Sequence, residues 1–326
     1  MRKWIFSFVG SMAMMVPLTV TAQASTGFLS DPRAETLVEE LVEFGLDPDK
    51  VRYWLSQGNY LESTTTNIAA PREQTSTYRE YRPLFVAEST IRGGKEFMAE
   101  HAETLARVEA ELGVDPKVVV AIIGVETRYG RLTGRDRVID ALGTLAFSDN
   151  RRNDYFYREL RALFRIAHEE QIDPLLLRGS YAGAMGVPQF MPSSYMAYAI
   201  DFNNDGKRDI WNNPVDAIGS VANYLAAHRW ERDGPVAMRA RVSGDDFEDI
   251  VANTRLQPHT SVADTLASGW EPIYDIDNDR MASTFRLDGE HGAEFWYGFN
   301  NLYVISRYNR SLSYAMAVYQ LSQEFR

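Results

Sequence analysis

Apolar positions recur at helical spacing along most of the chain. Leu37, Leu41, Val42 and Leu46 mark a helical start within residues 31–56, and Asp47-Pro48 opens a second helix. Over residues 56–77 the pattern turns polar, with Ser63-Thr64-Thr65-Thr66-Asn67 and Pro71, and predicts a long connecting loop. A helix resumes at Gly94, where Phe97, Leu105, Val108 and Leu112 share a face and Gly113 is the stop. Asp115-Pro116 then supplies an N-cap followed by proline at the first helical position. The run Val118-Val119-Val120-Ala121-Ile122-Ile123 is β-branched enough for a buried strand, but the capped start and the Gly113 stop favour a fully buried helix.

Residues 154–171 read as helix, and Asp173-Pro174 begins another short one. Gly, Pro and Asn dominate residues 179–214, an irregular region of the kind that carries function. Residues 214–228 return to helix, with Ala217, Val221, Tyr224 and Leu225 on one side. Alternating segments within 235–290, such as 236–240 and 283–287, predict a small β-containing unit, and 311–325 a closing helix. The fold class is mainly α (α+β).

Arg2 and Lys3 precede an apolar stretch over residues 4–20, and Ala22-Gln23-Ala24 follows. That is the layout of a secretory signal cleaved after Ala24; Ser7, Ser11 and Pro17 make the stretch marginal for a bilayer. The mature chain is expected to be soluble and outside the cytoplasm. The absence of Cys excludes disulfides, a thiolate nucleophile, Cys-ligated zinc and lipid attachment through Cys. A net charge of −11 without a basic run argues against a nucleic-acid partner.

Between Asp115 and Asp136 the only carboxylate is Glu126, directly after Ile122-Ile123-Gly124-Val125. Apolar walls strip hydration from a carboxylate and raise its pKa, which yields a proton donor near neutral pH. The alternative is a helix-end Glu paired with Arg128 or Arg131.

Gly124-Val125-Glu126-Thr127-Arg128-Tyr129-Gly130 resembles the signature of the lytic transglycosylase B family, bacterial muramidases with a lysozyme-like core. Tyr81-Arg82-Pro83-Leu84-Phe85, Asp140-Ala141-Leu142-Gly143-Thr144, Arg151-Arg152-Asn153-Asp154-Tyr155-Phe156 and Gly179-Ser180-Tyr181-Ala182-Gly183-Ala184-Met185-Gly186 agree. So do Pro188-Gln189-Phe190-Met191-Pro192, Trp296-Tyr297-Gly298-Phe299-Asn300-Asn301 and Arg307-Tyr308-Asn309-Arg310-Ser311. The resemblance runs from about Leu37 to the last residues, in the same order. After the signal peptide over 1–24, it implies a helical domain and connecting loop over 25–113 and a lysozyme-like catalytic core over 114–230. A small β-containing domain over 231–290 and a segment over 291–326 that returns to the helical part complete the expected organisation.

The family cleaves the MurNAc-β-1,4-GlcNAc bond of peptidoglycan without water, the muramic C6 hydroxyl closing a 1,6-anhydro ring. An ordinary glycosidase needs two carboxylates. Tethering the nucleophile to the reacting sugar lets one group act as acid and then as base, and the resemblance gives both roles to Glu126. It implies that Ser180 orients the N-acetyl group and that Gln189 bonds substrate near the acid. Arg151 and Arg152 would receive a lactyl or peptide carboxylate, or be two exposed helix-start arginines. Tyr155, Tyr224, Tyr303 and Tyr308 would stack on sugars or pack. Peptidoglycan glycan strands are the expected partner, with a cell-wall synthesis complex a further one, and the chain is expected to act as a monomer without an organic cofactor. Two other readings stay open: a hydrolytic muramidase using Asp140, Asp149 or Asp154 as second carboxylate, and a non-catalytic peptidoglycan-binding protein.

Asp201, Asn203 and Asp205 stand at positions 1, 3 and 5 of a loop with Gly206 at position 6 and the carbonyl of Lys207 at position 7. This is the front half of an EF-hand calcium loop, but Asn212 occupies the place of the bidentate Glu. The resemblance implies closure by a later Asp, assigned to Asp216 with Asp209 as second candidate, around a structural Ca2+. Asp275-Ile276-Asp277-Asn278-Asp279 lacks the Gly and reads as a solvated turn.

Overall fold

Burial of the apolar faces and the Asp-Pro starts together set the helices. The computed structural model describes residues 26–68 and 76–326, so the expected signal peptide over 1–24 and Pro71 lie outside the described residues. Helix α1 (Arg33–Val42) buries Leu37, Val38 and Leu41. Asp47 opens α2 (Pro48–Ser56) by accepting the N–H of Asp49. Part of the expected loop is helical: α3 (Glu62–Ile68) forms because the chain before it is tied to the core, Asn59 N donating to Asp140 and Leu61 N to Thr144 at 2.9 Å each.

Helices α4 (Tyr78–Phe85), α5 (Glu88–Glu100) and α6 (Ala102–Arg107) follow, and a π-helical turn (Val108–Leu112) ends at left-handed Gly113. The helix expected from Gly94 therefore starts six residues earlier, at Glu88. Asp115 caps α7 (Pro116–Thr127), whose residues from Val118 to Val125 are all buried, so the strand alternative is excluded. This helix is the centre of the molecule, packed by α5 and by two later helices.

Helix α8 (Val138–Phe147) and helix α9 (Asn153–Glu169) pack on one another, flanked by a two-residue ladder of β1 (Asp136–Arg137) and β2 (Arg178–Gly179). At Asp173 the expected helix is only a turn, in which the Asp173 side chain accepts Leu175 N before the chain enters β2. Helices α10 (Pro192–Tyr198) and α11 (Pro214–Ala227) complete this part.

The β unit is a five-stranded antiparallel sheet. It comprises β3 (Ala237–Val242), β4 (Thr260–Ser261), β5 (Trp270–Pro272), β6 (Met281–Gly289) and β7 (Gly292–Gly298), in the order β4-β6-β7-β3-β5. It continues past residue 290, because β7 pairs along the whole of its length with β6. With the short α12 (Val262–Leu266), the sheet encloses a core of its own around Val262, Trp270, Ala282, Tyr297 and Phe299. Helix α13 (Asn300–Tyr308), absent from the pattern reading, leads back to α14 (Leu312–Gln323), capped by Ser311 and packed on α7. Among the described residues no helix is long and apolar enough to cross a membrane.

Candidate active site

Helix α7 stops abruptly. Arg128, Tyr129 and Gly130 all adopt positive φ, at 52°, 62° and 81°. For the two non-glycine residues this conformation is costly and survives only where the surroundings enforce it. Here Tyr129 Oη donates to Thr90 O at 2.7 Å, and its ring lies so close to Gly93, Gly94 and Gly124 that a Cβ on any of them would collide with it. Arg128 donates to Thr90 Oγ1 and Leu84 O, both at 2.7 Å. Thr127 Oγ1 donates to Val187 O and accepts the N–H of Gly130.

Glu126 is thereby held half-buried at the last turn, with Tyr314 Oη donating to its Oε1 at 2.6 Å. Of the two arginines near this helix end, Arg128 bonds to α4 and α5, and Arg131 reaches Glu96 at 3.9 Å.

Glu126 opens into a cleft of about 1270 Å³, and it is the single carboxylate among the described residues that line it. Of the expected substrate residues, Arg152, Tyr155, Ser180, Gln189, Tyr224 and Tyr308 line the same cleft. Arg151 and Tyr303 do not: Arg151 is exposed in the turn before α9, and Tyr303 packs half-buried on α13, Arg307 standing 6.0 Å over its ring.

Ser180 Oγ accepts Ala182 N at 3.3 Å and Ala184 N at 3.1 Å, which leaves its proton to donate. Gln189 sits at φ 53°, and its amide nitrogen donates to Thr133 O and Gly186 O, which leaves its side-chain oxygen as the acceptor on offer. Tyr308 donates to Pro188 O and Tyr224 to Arg307 O, at 2.7 and 2.6 Å, so both hydroxyls are spent on backbone and only the rings remain. Arg152 lies 4.6 Å over the Tyr155 ring.

Burial, followed by the charge of Glu126, pushes the Tyr308 and Tyr314 hydroxyls well above the usual phenol range. Both are neutral donors at any working pH. Burial with the neighbouring Glu159 carboxylate lifts Tyr155 to about 12.

No second carboxylate stands across from Glu126 among these lining residues. Asp140 is buried elsewhere, held by Arg137 at 2.7 and 2.8 Å and by Asn59 N, whereas Asp149 and Asp154 are exposed and outside the cleft. The pattern reading missed Tyr314, Arg307 and Arg310. The last two lie in a motif already quoted, and the cap signal of Ser311 places Tyr314 in the first turn of a helix.

The acidic loop lies behind this wall. Asp201 accepts Asp205 N at 3.0 Å and Gly206 N at 2.7 Å, Asp205 accepts Lys207 N at 3.0 Å, and Gly206 makes the turn at φ 88°. Asp216 is fully buried beneath and accepts N–H groups from Phe202, Asn203 and Asp209, joining both ends of the loop. Asp209 caps the turn at Trp211 and Asn212. Val187 N donates to Ile210 O at 2.9 Å, which ties the loop to the Gln189 segment. Among the described residues no group of three or more His, Asp or Glu converges as a metal site.

The family model described as Transglycosylase SLT domain matches residues 30–323. The chain is 39% identical over 320 residues to the membrane-bound lytic murein transglycosylase B of Escherichia coli K12, covering 95% of this chain and 87% of that one. The crystal structure of the soluble lytic transglycosylase SltB1 of Pseudomonas aeruginosa superposes with a TM-score of 0.86 at 44% identity, covering 90% of this chain and 98% of that one. The Escherichia coli lytic transglycosylase Slt35 in complex with calcium gives 0.83 at 39% identity, over 95% and 98%. The α+β fold is that of these lysozyme-like enzymes, and the chain belongs to the transglycosylase SLT family.

Proposed function

We propose that this chain is a peptidoglycan lytic transglycosylase that cleaves the MurNAc-β-1,4-GlcNAc bond and leaves 1,6-anhydromuramic ends. The observation that carries this reading is a cleft in which, among the described residues, Glu126 is the one carboxylate and none stands opposite to hold a water. A hydrolase of the inverting or retaining kind needs that second group. Family membership together with a complete cleft also disfavours a non-catalytic binding protein.

In this reading Glu126 protonates the leaving glycosidic oxygen. Ser180 donates its free proton to the N-acetyl carbonyl, positioning it beneath C1, and Gln189 accepts from a sugar hydroxyl. As the bond breaks, the Glu126 carboxylate is stabilised by the neutral hydroxyl of Tyr314. It then removes the proton from the C6 hydroxyl, which closes on C1. The rings of Tyr155, Tyr224 and Tyr308 form the walls, and Arg152 faces the lactyl side. Arg151 and Tyr303, which do not line the cleft, are assigned no sugar contact in this reading.

The loop's hard oxygen donors suit Ca2+. Asp201, Asn203, Asp205 and the Lys207 carbonyl would hold it, with Asp216 closing the loop from beneath. Its contribution would be charge neutralisation that fixes the segment leading to Gln189. Such an enzyme works where murein is, and we place this one, as a monomer, in the periplasm after export by residues 1–24.

Glu126→Gln tests the assignment: the variant is expected to melt like the wild type and to lose at least about a thousandfold in cleavage rate, the scale of general acid–base catalysis. Substantial residual cleavage contradicts it.

A further inference from the structure

A second cavity, of about 550 Å³, lies against the wall that carries Gln189 and shares no described lining residue with the cleft around Glu126. Its body is apolar: Ile172, Leu177 and Trp211 line it, and Leu176, 73% exposed, stands with them. The Trp211 indole packs on the buried ring of Tyr195 at 5.4 Å, and its N–H is buried without an acceptor among the described residues. The acids that line the cavity are engaged. Glu170 accepts Arg208 Nε at 2.7 Å, Asp173 accepts Leu175 N, and Asp209 accepts the N–H groups of Trp211 and Asn212. Arg178 and Lys207 also line it and are exposed, and among the described residues neither side chain has a hydrogen bond or ion pair. Apolar walls beside uncommitted donors are the make-up of a small-ligand site.

We propose that this cavity binds a small aromatic carboxylate, its ring against Trp211 and Leu177 and its carboxylate on Arg178, and that occupancy tightens the hold of the cleft on substrate. An aromatic ring pairs with an indole, and a guanidinium fork matches a carboxylate with two parallel bonds. The link to the cleft is short. Gln189 Nε2 donates to Thr133 O at 3.0 Å and to Gly186 O at 2.9 Å, and both of these residues line the second cavity. On one side, Leu177 O accepts Val138 N at 3.0 Å, just beyond the β1–β2 ladder that follows Thr133. On the other, Val187 N donates to Ile210 O, next to Trp211. A ligand between Leu177 and Trp211 therefore holds together the two segments whose carbonyls position the Gln189 side chain. Preorganising that side chain favours substrate binding and leaves the acid untouched, so the effect falls on KM. This rests on Gln189 being a substrate contact, as in the transglycosylase reading above.

The probe is 3-phenylpropionate, with 3-phenylpropionamide as its uncharged counterpart, titrated into the full chain by calorimetry. The acid is expected to bind at one site and at least about tenfold more tightly than the amide, and Arg178→Gln to cost about tenfold, the scale of a hydrogen-bonded charge. On glycan strands, saturating acid should lower KM about fivefold while kcat stays within about twofold. The R178Q variant should keep the ligand-free KM, which also reports an intact fold, and lose this response. No binding, binding indifferent to Arg178 or to the carboxylate, or binding that leaves KM unchanged or raises it overturns the proposal. Wild-type protein that cleaves no strand overturns the transglycosylase reading instead, and the calorimetric arm then decides the site by itself.

Discussion

Glu126 and Tyr314 are 188 positions apart in the chain and 2.6 Å apart in the fold. The phenol, pushed far above its usual range by burial first and by the carboxylate second, stays protonated and donates a charge-assisted bond when Glu126 is ionised. Tyr314→Phe removes that bond without emptying the site, and is expected to lower kcat about tenfold while KM moves less than about twofold. An unchanged kcat would make the contact structural. Glu126 stands out in the sequence as the lone acid after an apolar helix, but that position fits a structural Glu as well, and its proposed role comes from the motif around it, residues 124–130. Tyr314 does not stand out, because no local pattern reports which two helix ends will meet. The same limit explains Tyr224, which reads as a ring on a helix face and turns out to have its hydroxyl consumed by Arg307 O.

At the scale of elements, α7 and its left-handed exit position the acid, and three glycines make room for the Tyr129 ring that locks the exit. Gly124→Ala would set a Cβ 2.6 Å from the Tyr129 hydroxyl and 2.7 Å from its ring. Overpacking of this kind costs about 1–3 kcal/mol, so calorimetry should show a melting temperature several degrees lower. A neutral substitution would mean that the exit is not rigid. The cation loop makes its own prediction: millimolar calcium should raise the melting temperature by a few degrees over chelator, and Asp201→Ala should abolish the difference, since a ligand that binds only the native state adds about 2.7 kcal/mol at a hundred times its Kd. Helix starts marked by Asp-Pro at 47–48 and 115–116 were legible because the cap is local chemistry. At Asp173-Pro174 the same signal failed, since the chain there is drawn into β2 before a helix can propagate. Helix α3 was illegible for the opposite reason: its polar sequence is organised by bonds to Asp140 and Thr144 on α8.

Across the whole molecule, burial holds a set of tyrosines neutral. Tyr155, Tyr157 and Tyr224 are lifted to about 12, and Tyr78, Tyr129, Tyr195, Tyr308 and Tyr314 still higher. Their folded values exceed that of the unfolded chain, near 10, so the stability they contribute is complete below that pH and is lost as pH rises through the folded values. Melting temperatures should therefore be flat up to about pH 9 and fall steeply by about pH 11, in step with the appearance of tyrosinate absorbance. Ionisation of these buried tyrosines while the melting temperature holds would contradict this. The α+β class and the β unit were readable from alternation and turn residues, but its last strand, β7, was not. Gly292–Gly298 has too little alternation of its own and is specified by pairing with β6 and β3.

The central claim is that bond cleavage uses the sugar's own hydroxyl and a single carboxylate, with no water consumed. Digestion of glycan strands in water enriched in heavy oxygen, followed by mass spectrometry, tests it directly. The account predicts 1,6-anhydromuramic ends that carry no label. Labelled reducing ends would contradict it.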